Sequence, residues 1–416
     1  MATTETAFDP TTVRTRFPAL ALLGPDGRPY VWADAPGGSQ MVDTAIAAVT
    51  QRMRAGASNT HGAFPVCADI DQLIQEARNA GADFLGCDPG EVIFGQNSTS
   101  LLLHLSRSLG RTWGPGDEIV VTRLDHDANV RPWLLAARDA GATVRWVDVR
   151  EDDVTLDLDS FDAALSDRTK LVAFTLASNA VGTMPPAADL TARAKQTGAV
   201  VAIDGVHLSQ HHPIDLHGTG ADIVATSPYK YFGPHQGMLG VRAELLAALE
   251  PYKLRAAPDE DPSRWETGTQ NHEALAGTIA AIEYIAEMGG AGIDRRAAVV
   301  AGFGRFDAHE RTLARRFLEG AATIAGITVY GIADPERWDE RTPTFAVRLG
   351  SQHPLDTCAA LAERGIFTWD GHYYAIEVFD RLGLLETGGA VRIGFCHYHT
   401  LDEVDRVLAA LEDLSA

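Results

Sequence analysis

The stretch Ala221–Arg242, which reads ADIVATSPYKYFGPHQGMLGVR, carries the strongest signal for the fold and the function. An apolar run at residues 223–225 precedes Lys230, and a second apolar run follows at residues 238–241. This pattern predicts two buried strands joined by a turn that contains glycine and proline. The turn presents one lysine at the end of a buried strand, where functional groups of α/β proteins collect.

Lysine is a rare residue in this chain. Four lysines, at positions 170, 195, 230 and 253, stand beside 31 arginines. A buried lysine is costly unless its amine has a function, and formation of a Schiff base is the commonest such function. Lys230 is therefore the first candidate for a catalytic residue. The alternative is a lysine that caps carbonyl groups in a turn.

Composition and charge narrow the class of protein. A chain of 416 residues is long enough for two domains, and the formal charge of −21 argues against nucleic acid or an anionic membrane as a partner. No apolar run has the length of a bilayer span, and the N-terminus lacks a secretory signal. The four cysteines show no metal-ligand spacing. We therefore expect a cytoplasmic enzyme without a bound metal.

Strand-sized apolar runs alternate with helix-sized stretches over the first two thirds of the chain. The runs lie at residues 92–94, 118–122, 143–147, 171–177, 200–203 and 223–226. This alternation predicts βαβ units and a mostly parallel sheet that is buried on both faces. We predict an arm at residues 1–29 that joins the small domain, a large α/β domain at 30–285, and a small α+β domain at 286–416. A strand is also predicted from Tyr30 to Ala33.

Polar side chains follow almost every predicted strand. They include Ser98, Thr99, Asp125, His126, Asn179, Asp204, His207 and Ser227. Because the carboxyl ends of parallel strands meet at one edge of a sheet, we expect these side chains to form one site.

Several of these side chains suit pyridoxal 5'-phosphate. Ser98 and Thr99 at the start of a helix form a phosphate cradle, although an ordinary N-cap is the alternative. Asp204 ends an apolar strand and needs a cationic partner such as a protonated pyridine nitrogen, unless it caps the next helix. His126 is a candidate for stacking on a ring, for acid–base chemistry, or for a purely structural role.

Longer motifs match a known family. The segments DHDANVRPW, SNAVGT, DGVHLSQHHPID, SPYKYFGP, WETGTQN and VRIGFCHYHTLDEVDRVLAAL begin at residues 125, 178, 204, 227, 265 and 391. With them the chain resembles the class V aminotransferases, the fold-type-I pyridoxal-phosphate enzymes that include the cysteine desulfurases. The resemblance implies a large domain with a mostly parallel seven-stranded sheet and a smaller α+β C-terminal domain.

The resemblance also implies cofactor-binding roles for individual residues. It makes Lys230 the Schiff-base lysine and places His126 against the pyridine ring. It puts Asp204 at the pyridine nitrogen, His207 where the family has glutamine, and Ser227 at the phosphate.

Further implied roles concern the substrate and the partner subunit. Asn179 would touch the phenolic oxygen of the cofactor or the substrate, and Arg392 would bind the substrate α-carboxylate. Thr269 would reach the phosphate of the other subunit's cofactor, which implies a homodimer with active sites at the interface.

One loop departs from the cysteine desulfurase pattern. Those enzymes carry a persulfide-forming cysteine in a loop reading Arg-x-Gly-His-His-Cys, and here the loop reads WDGHYY at residues 369–374. Trp369 replaces the arginine and Tyr374 replaces the cysteine. A phenol cannot accept sulfane sulfur as a thiolate does. Cys358 is interpreted as a buried helix residue. Cys396 is placed past Arg392 on the same strand face, as a thiol near the site but poorly placed for it.

The aromatic loop shapes the functional hypothesis. Trp369, Tyr373 and Tyr374 would line a pocket for a bulky S-substituent, with His372 or a tyrosine as proton donor, and simple loop packing is the alternative. A phosphate-proximal histidine of the family is replaced by Tyr229.

The sequence thus predicts a pyridoxal-phosphate lyase that cleaves the C–S bond of a cysteine-type amino acid by α,β-elimination. The alternatives are transamination, epimerisation, decarboxylation with oxidative deamination, desulfuration through Cys396, and a cofactor-binding protein without turnover.

Overall fold

The computed structural model describes residues 8–24 and 26–415. Its large sheet has seven strands in the order β1-β7-β6-β5-β4-β2-β3. They are β1 Val92–Gly95, β2 Glu118–Thr122, β3 Thr143–Val147, β4 Thr169–Thr175, β5 Val200–Asp204, β6 Ile223–Thr226 and β7 Gly237–Val241. Strand β7 is antiparallel to β1 and β6, and the remaining pairs are parallel. The predicted mostly parallel sheet is confirmed.

Both faces of this sheet are buried, as continuous apolar runs predict. Successive residues of a strand point to opposite faces, so they enter different cores. In β2, Val120 belongs to one hydrophobic core, whereas Ile119 and Val121 belong to another. Edge strand β3 alternates exposed and partly buried residues over its first four positions.

Fourteen helices surround the two sheets over the described residues. They are α1 Pro10–Arg14, α2 Asp43–Arg54, α3 Pro65–Leu85, α4 Ser98–Gly110, α5 Arg131–Ala140, α6 Leu158–Ala164, α7 Ala187–Lys195, α8 Leu216–Thr219, α9 Ala243–Ala248, α10 His272–Gly289, α11 Arg295–Ala321, α12 Pro354–Glu363, α13 Ile376–Arg381 and α14 Leu401–Ser415. In the part of the chain that the structure describes, no helix has the length and apolar character needed to cross a membrane.

The C-terminal part builds a smaller antiparallel sheet with its own core. Its strands lie in the order β10-β11-β9-β8. They are β8 Ile327–Tyr330, β9 Thr344–Leu349, β10 Trp369–Gly371 and β11 Ala390–Gly394. The predicted α+β domain is confirmed in kind, and the limits given for the arm and the two domains stay predictions.

The strand predicted from Tyr30 to Ala33 is wrong. The Val31 amide donates to the Gly365 carbonyl at 2.9 Å, whereas the Ala33 carbonyl accepts from the Gly394 amide at 2.9 Å. The segment therefore changes its partner after two residues, and each pairing stays an isolated bridge. Its path carries it from the small sheet to the edge where the large sheet presents Lys230.

Helices α10 and α11 pack closely at glycine positions. A Cβ atom on Gly302 would overlap the Ile285 carbonyl oxygen of α10, whereas a Cβ on Gly304, two residues further along α11, would meet open space. Both glycines lie in helix α11, but only Gly302 is in close contact with the backbone of α10.

We expect Gly302→Ala to lower the free energy of unfolding by about 1–3 kcal/mol, because backbone cannot yield as a flexible side chain can. The matched variant Gly304→Ala should raise it by up to about 1 kcal/mol through helix propensity. Urea unfolding followed by circular dichroism measures both. Equal stabilities of the two variants would contradict the packing argument.

Candidate active site

A cavity of about 1070 Å³ lies at the carboxyl edge of the large sheet, where the small sheet faces it. It brings together most of the residues that the sequence predicts for the site. The lining includes Ser98, Thr99, His126, Asn179, Asp204, His207, Lys230, Trp369, His372, Tyr373, Tyr374 and Arg392.

The start of α4 forms one end of the cavity. Asn97, not Ser98 or Thr99, caps this helix, since its Oδ1 accepts from the Ser100 amide at 2.8 Å. The amides of Ser98 and Thr99 precede the first intrahelical donor, so they are available to an anion. Gly237 of β7 passes so close that a Cβ would overlap the Asn97 backbone. The N-cap alternative for Ser98 and Thr99 is wrong.

Asp204, the last residue of β5, places a buried carboxylate at the cavity. The carboxylate accepts from the Val206 amide at 2.8 Å, in an irregular segment, so it does not cap a helix. Burial raises its pKa to about 6, and the positive charge of Lys230 opposes that rise. A cation held against this carboxylate would favour its charged form.

A buried network fixes the loop that carries His126. Asp125 accepts from Thr122 Oγ1 and from Asn129 Nδ2, the second at 2.8 Å, and Asn129 Oδ1 accepts from Trp133 Nε1 at 3.1 Å. Burial raises the pKa of Asp125 to about 8. The Asp-His-x-x-Asn…Trp spacing in the sequence is the signal for this support.

His126 is a neutral imidazole at the cavity wall. Burial lowers its pKa to about 3, and the positive charges of Lys230 and Arg392 act in the same direction. Its Nδ1 accepts from the Ala128 amide at 3.0 Å, which assigns the proton to Nε2. The ring stacks on Tyr374 with centroids 5.4 Å apart. These contacts favour stacking over proton donation near neutral pH.

Lys230 ends the turn Pro228–Lys230 and is buried. Its Nζ donates to the Pro36 carbonyl, outside its own turn, and lies 4.7 Å from the Tyr229 ring centroid. Burial lowers the pKa of the amine to about 7, and Arg392 lowers it further by charge repulsion. The amine thus caps a carbonyl of another turn, Ala35–Gly37, as the alternative expects, and the catalytic role of Lys230 stays a prediction.

Two buried polar atoms at the cavity lack a partner among the described residues. Asn179 donates from Nδ2 to the Tyr373 carbonyl at 2.9 Å, and its Oδ1 has no donor. His207 contacts the hydroxyls of Thr342 and Thr344 through Nε2 at 3.1 Å, and its Nδ1 is unpartnered. Such atoms are costly to bury, so a polar ligand group is the natural partner for both.

Arg392 extends from β11 into the cavity and is buried. Its guanidinium pairs with Asp34 at 2.8 Å, donates to the Asn179 carbonyl at 3.3 Å, and lies 4.6 Å from the Tyr373 ring centroid. Sequence reasoning missed Asp34 as a site residue. A single carboxylate inside the segment YVWADAPGG was the available signal.

The aromatic loop lies at the mouth of the cavity. Trp369 and Tyr374 are 57% and 65% exposed. Tyr373 is buried and donates from its hydroxyl to the Ala390 carbonyl, so it packs as a structural residue that also borders the cavity. His372 Nδ1 accepts from the Tyr374 amide at 3.2 Å. The loop thus combines packing by one tyrosine with an open rim formed by the other.

Two predicted phosphate ligands are not among the cavity-lining residues. Ser227 is buried directly after β6, and Thr269 is exposed in the segment before α10. Their roles, and the homodimer in which Thr269 would reach the other subunit's cofactor, stay predictions.

The cysteines are outside the cavity. Cys358 is buried in α12, as predicted. Cys396 lies beyond the end of β11 rather than on its face, is fully buried, and donates from its amide to His399 Nδ1 at 3.0 Å. The poor placement expected for its thiol agrees with this position.

The residues at the cavity fit pyridoxal 5'-phosphate. They offer free helix amides for a phosphate, a buried carboxylate for a pyridinium, unpartnered polar atoms for a phenolic oxygen, and a buried amine. In the described residues, a cluster with metal-ligand geometry occurs at Asp88, Glu91 and His217, where Glu91 already pairs with His217 and accepts two backbone amides. No metal ligand set was predicted, and this cluster lies outside the cavity lining.

Comparisons with known proteins agree with this fit. The family described as Aminotransferase class-V matches residues 31–407. A probable cysteine desulfurase of Mycobacterium leprae (strain TN) is 31% identical, over 98% of this chain and 96% of its own length. A cysteine desulfurase of Klebsiella pneumoniae (strain ATCC 700721 / MGH 78578) is 30% identical, over 96% of this chain and 97% of its own length.

Solved structures agree as well. The apo structure of a cysteine desulfurase from Thermococcus onnurineus NA1 matches with a TM-score of 0.88 and 26% identity, over 100% of this chain and 99% of that one. A cysteine desulfurase from Escherichia coli in an S-sulfonic acid form matches with a TM-score of 0.83 and 25% identity, over 98% of each chain. This chain belongs to the class V aminotransferase family and is a pyridoxal-phosphate-dependent, cysteine-desulfurase-like enzyme.

Proposed function

We propose that this enzyme cleaves the C–S bond of cysteine or an S-substituted cysteine by α,β-elimination and releases the sulfur as a free thiol. The observation that carries the proposal is the loop at residues 369–374, which borders the cavity with Tyr374 where the resembling enzymes have a cysteine. The similarity to cysteine desulfurases supports C–S cleavage on a cysteine-type amino acid. With tyrosine at position 374, the loop has no thiol that could accept the sulfur.

The cysteines of the chain offer no replacement acceptor. None of the four, all within the described residues, lines the cavity. Burial raises the pKa of Cys358 to about 12 and raises that of Cys396 well above its ordinary value. Because the thiolate is the nucleophile, such thiols are inert toward sulfur transfer.

The chain's own residues suggest how the cofactor would be held. Ser98 and Thr99 would bind the phosphate, Asp204 the pyridine nitrogen, and Lys230 the aldehyde carbon. Asn179 Oδ1 would accept from the phenolic hydroxyl, His207 Nδ1 would donate to the phenolic oxygen in the tautomer that carries a proton there, and His126 would cover the ring. When bound, pyridoxal phosphate supplies an electron sink for charge that develops at the substrate Cα.

Side chains of the cavity would bind the substrate and transfer its protons. Arg392 would hold the α-carboxylate, and Lys230, once its amine is free and neutral, would take the Cα proton on Nζ. Loss of the Cβ–S bond then leaves a thiolate, which needs one proton. His126 is neutral and carries only its Nε2 proton, so His372 and the Tyr374 hydroxyl at the rim are the candidate donors. With one water, the sum is thiol, pyruvate and ammonium.

The rim suggests which thiols leave. Trp369 and Tyr374 expose aromatic surface at the mouth, and Tyr374 stacks on His126. An apolar S-substituent would bury this surface with a gain of about 25 cal/mol per Å². We therefore expect the enzyme to prefer cysteine thioethers with a bulky, apolar S-substituent over free cysteine as substrates.

The holoenzyme incubated with S-benzylcysteine should release benzyl thiol and pyruvate in equal amounts. Cys396→Ala and Cys358→Ala should each keep sulfide release from cysteine within about threefold of wild type, since neither thiol takes part. Thiol is measured with a chromogenic disulfide and pyruvate with lactate dehydrogenase. A new amino acid formed from an added keto acid, an aldehyde, or loss of sulfide release in one cysteine variant would each contradict the proposal.

Lys230 gives a second test that does not depend on turnover. Only a neutral amine condenses with the cofactor, and burial lowers the pKa of Lys230 from its ordinary value of 10.5 to about 7. Covalent incorporation of pyridoxal phosphate into cofactor-free protein should therefore rise with pH and reach half its maximum near pH 7. Borohydride fixation at Lys230, followed by mass spectrometry, measures the rate.

The variant Arg392→Met serves as the matched comparison. It removes the charge repulsion on Lys230, so the half-maximum should move to higher pH, and Lys230→Ala should incorporate no label. A wild-type half-maximum near pH 10, or labelling of Lys230→Ala, would contradict the assignment of Lys230.

A further inference from the structure

We propose that Asp34 is a positioning residue for the amino acid carboxylate: it holds the guanidinium of Arg392 by one edge and leaves two of its N–H groups for the substrate. This inference rests on the proposed function, in which Arg392 binds the α-carboxylate. It goes beyond that proposal because it explains why Arg392, itself buried in a cavity with another cation, adopts a single orientation.

Three of the five N–H groups of the Arg392 guanidinium donate to protein acceptors. Nε and Nη2 both donate to Asp34 Oδ1, at 3.2 and 2.8 Å, and Nη1 donates to the Asn179 carbonyl at 3.3 Å. The Tyr373 ring lies 4.6 Å from the guanidinium carbon. A guanidinium has five N–H groups. One N–H on each terminal nitrogen is therefore left without an acceptor among the described residues, which matches the two oxygens of a carboxylate.

Charge explains why an acid is needed at this place. The Arg392 side chain is 5% exposed and Asp34 is 20% exposed. A guanidinium stays protonated when it is buried, so it requires an anionic partner or a large loss of stability. The Asn179 carbonyl orients one nitrogen but supplies no charge. Asp34 alone provides both a counter-charge and two hydrogen bonds along one edge.

The backbone holds Asp34 firmly in position. The Gly37 amide donates to the Asp34 carbonyl at 2.9 Å, and the Gly394 amide donates to the Ala33 carbonyl at 2.9 Å. Gly394 is two residues from Arg392, and a Cβ on it would overlap the Pro36 ring. The segment that carries Asp34 therefore packs directly on the strand that carries Arg392.

The same segment also contacts Lys230. The Pro36 carbonyl, two residues after Asp34, accepts from Lys230 Nζ. One short turn thus contacts the group proposed to bind the carboxylate and the group proposed to take the Cα proton. This arrangement fixes the spacing of the Lys230 amine and the Arg392 guanidinium, which a substrate must bridge through its Cα and its carboxylate.

The test uses holoenzyme and two ligands, S-benzylcysteine and its decarboxylated analogue S-benzylcysteamine. Dissociation constants come from the rapid change in absorption of the bound cofactor after stopped-flow mixing, at a series of ligand concentrations and before turnover. Asp34→Ala should weaken binding of S-benzylcysteine about 30-fold, equivalent to about 2 kcal/mol, since the guanidinium loses its orientation. Binding of S-benzylcysteamine should change by less than about twofold, because this ligand has no carboxylate.

Asp34→Asn is the conservative variant. Its side-chain oxygen still accepts from Nε and Nη2, so it should restore the affinity for S-benzylcysteine to within about fivefold of wild type, whereas the lost counter-charge should appear as a lower thermal stability than wild type. Asp139→Asn, in an exposed pair with Arg138, controls for a change of formal charge alone. Cofactor content and thermal unfolding of each variant establish that the proteins are folded and loaded.

The outcomes separate this inference from the proposed function. Equal loss of affinity for both ligands in Asp34→Ala, no loss for either, or Asp34→Asn as weak as Asp34→Ala would overturn the positioning role. If selective loss occurs while wild-type enzyme releases no pyruvate, the positioning role stands and the elimination fails. If pyruvate is released and affinity is unchanged in Asp34→Ala, the elimination stands and the positioning role fails.

Discussion

The structure depends on how one low-dielectric cavity accommodates two cations. Arg392 lies close enough to Lys230 to disfavour the charge of the amine, and both side chains are buried. Burial lowers the pKa of a lysine, so that the amine loses its proton. A guanidinium keeps its charge when buried and needs a counter-ion. The cavity therefore holds an amine that is about half neutral at pH 7 and an arginine whose charge Asp34 balances. These are the two states that proton abstraction and carboxylate binding require.

The hydrogen bonds of Arg392 also link the two sheets. Arg392 comes from the small sheet, Asn179 from a loop of the large sheet, and Asp34 from the segment that passes between them. The Asn179 side chain in turn donates to the Tyr373 carbonyl of the rim loop. The affinity of Arg392 for a carboxylate would therefore depend on the relative placement of both sheets. Substrate recognition and domain packing use the same hydrogen bonds, so variants here are best judged with ligands that isolate the carboxylate.

Sequence reasoning predicted the parts of the site that follow local rules. Asp204 ends a buried strand and Lys230 lies in the turn that follows another, and the strand-end rule for parallel sheets brings them together. Asp34 was missed because its function depends on Arg392, 358 residues away in the chain, and because the segment around it resembles a strand. Asn97 was missed because a Ser-Thr pair at a helix start is itself a good cap. The Asp34 error concerns a tertiary contact, which periodicity and spacing do not encode, whereas the Asn97 cap is a local contact over three residues.

The backbone of the rim loop bears on the fate of the sulfur. Tyr373 and Tyr374 both adopt left-handed conformations, with φ of 50° and 60°, which cost non-glycine residues about 1 kcal/mol or more each. Hydrogen bonds hold this conformation, because the Tyr373 carbonyl accepts from Asn179 and the Tyr374 carbonyl accepts from the Asp127 amide at 2.7 Å. A residue that collects sulfur from the substrate must afterwards present it to an outside acceptor. A residue that shapes the mouth or donates one proton acts from a fixed place. The anchored loop therefore argues for a free thiol that leaves by diffusion, not for a persulfide carried by the loop.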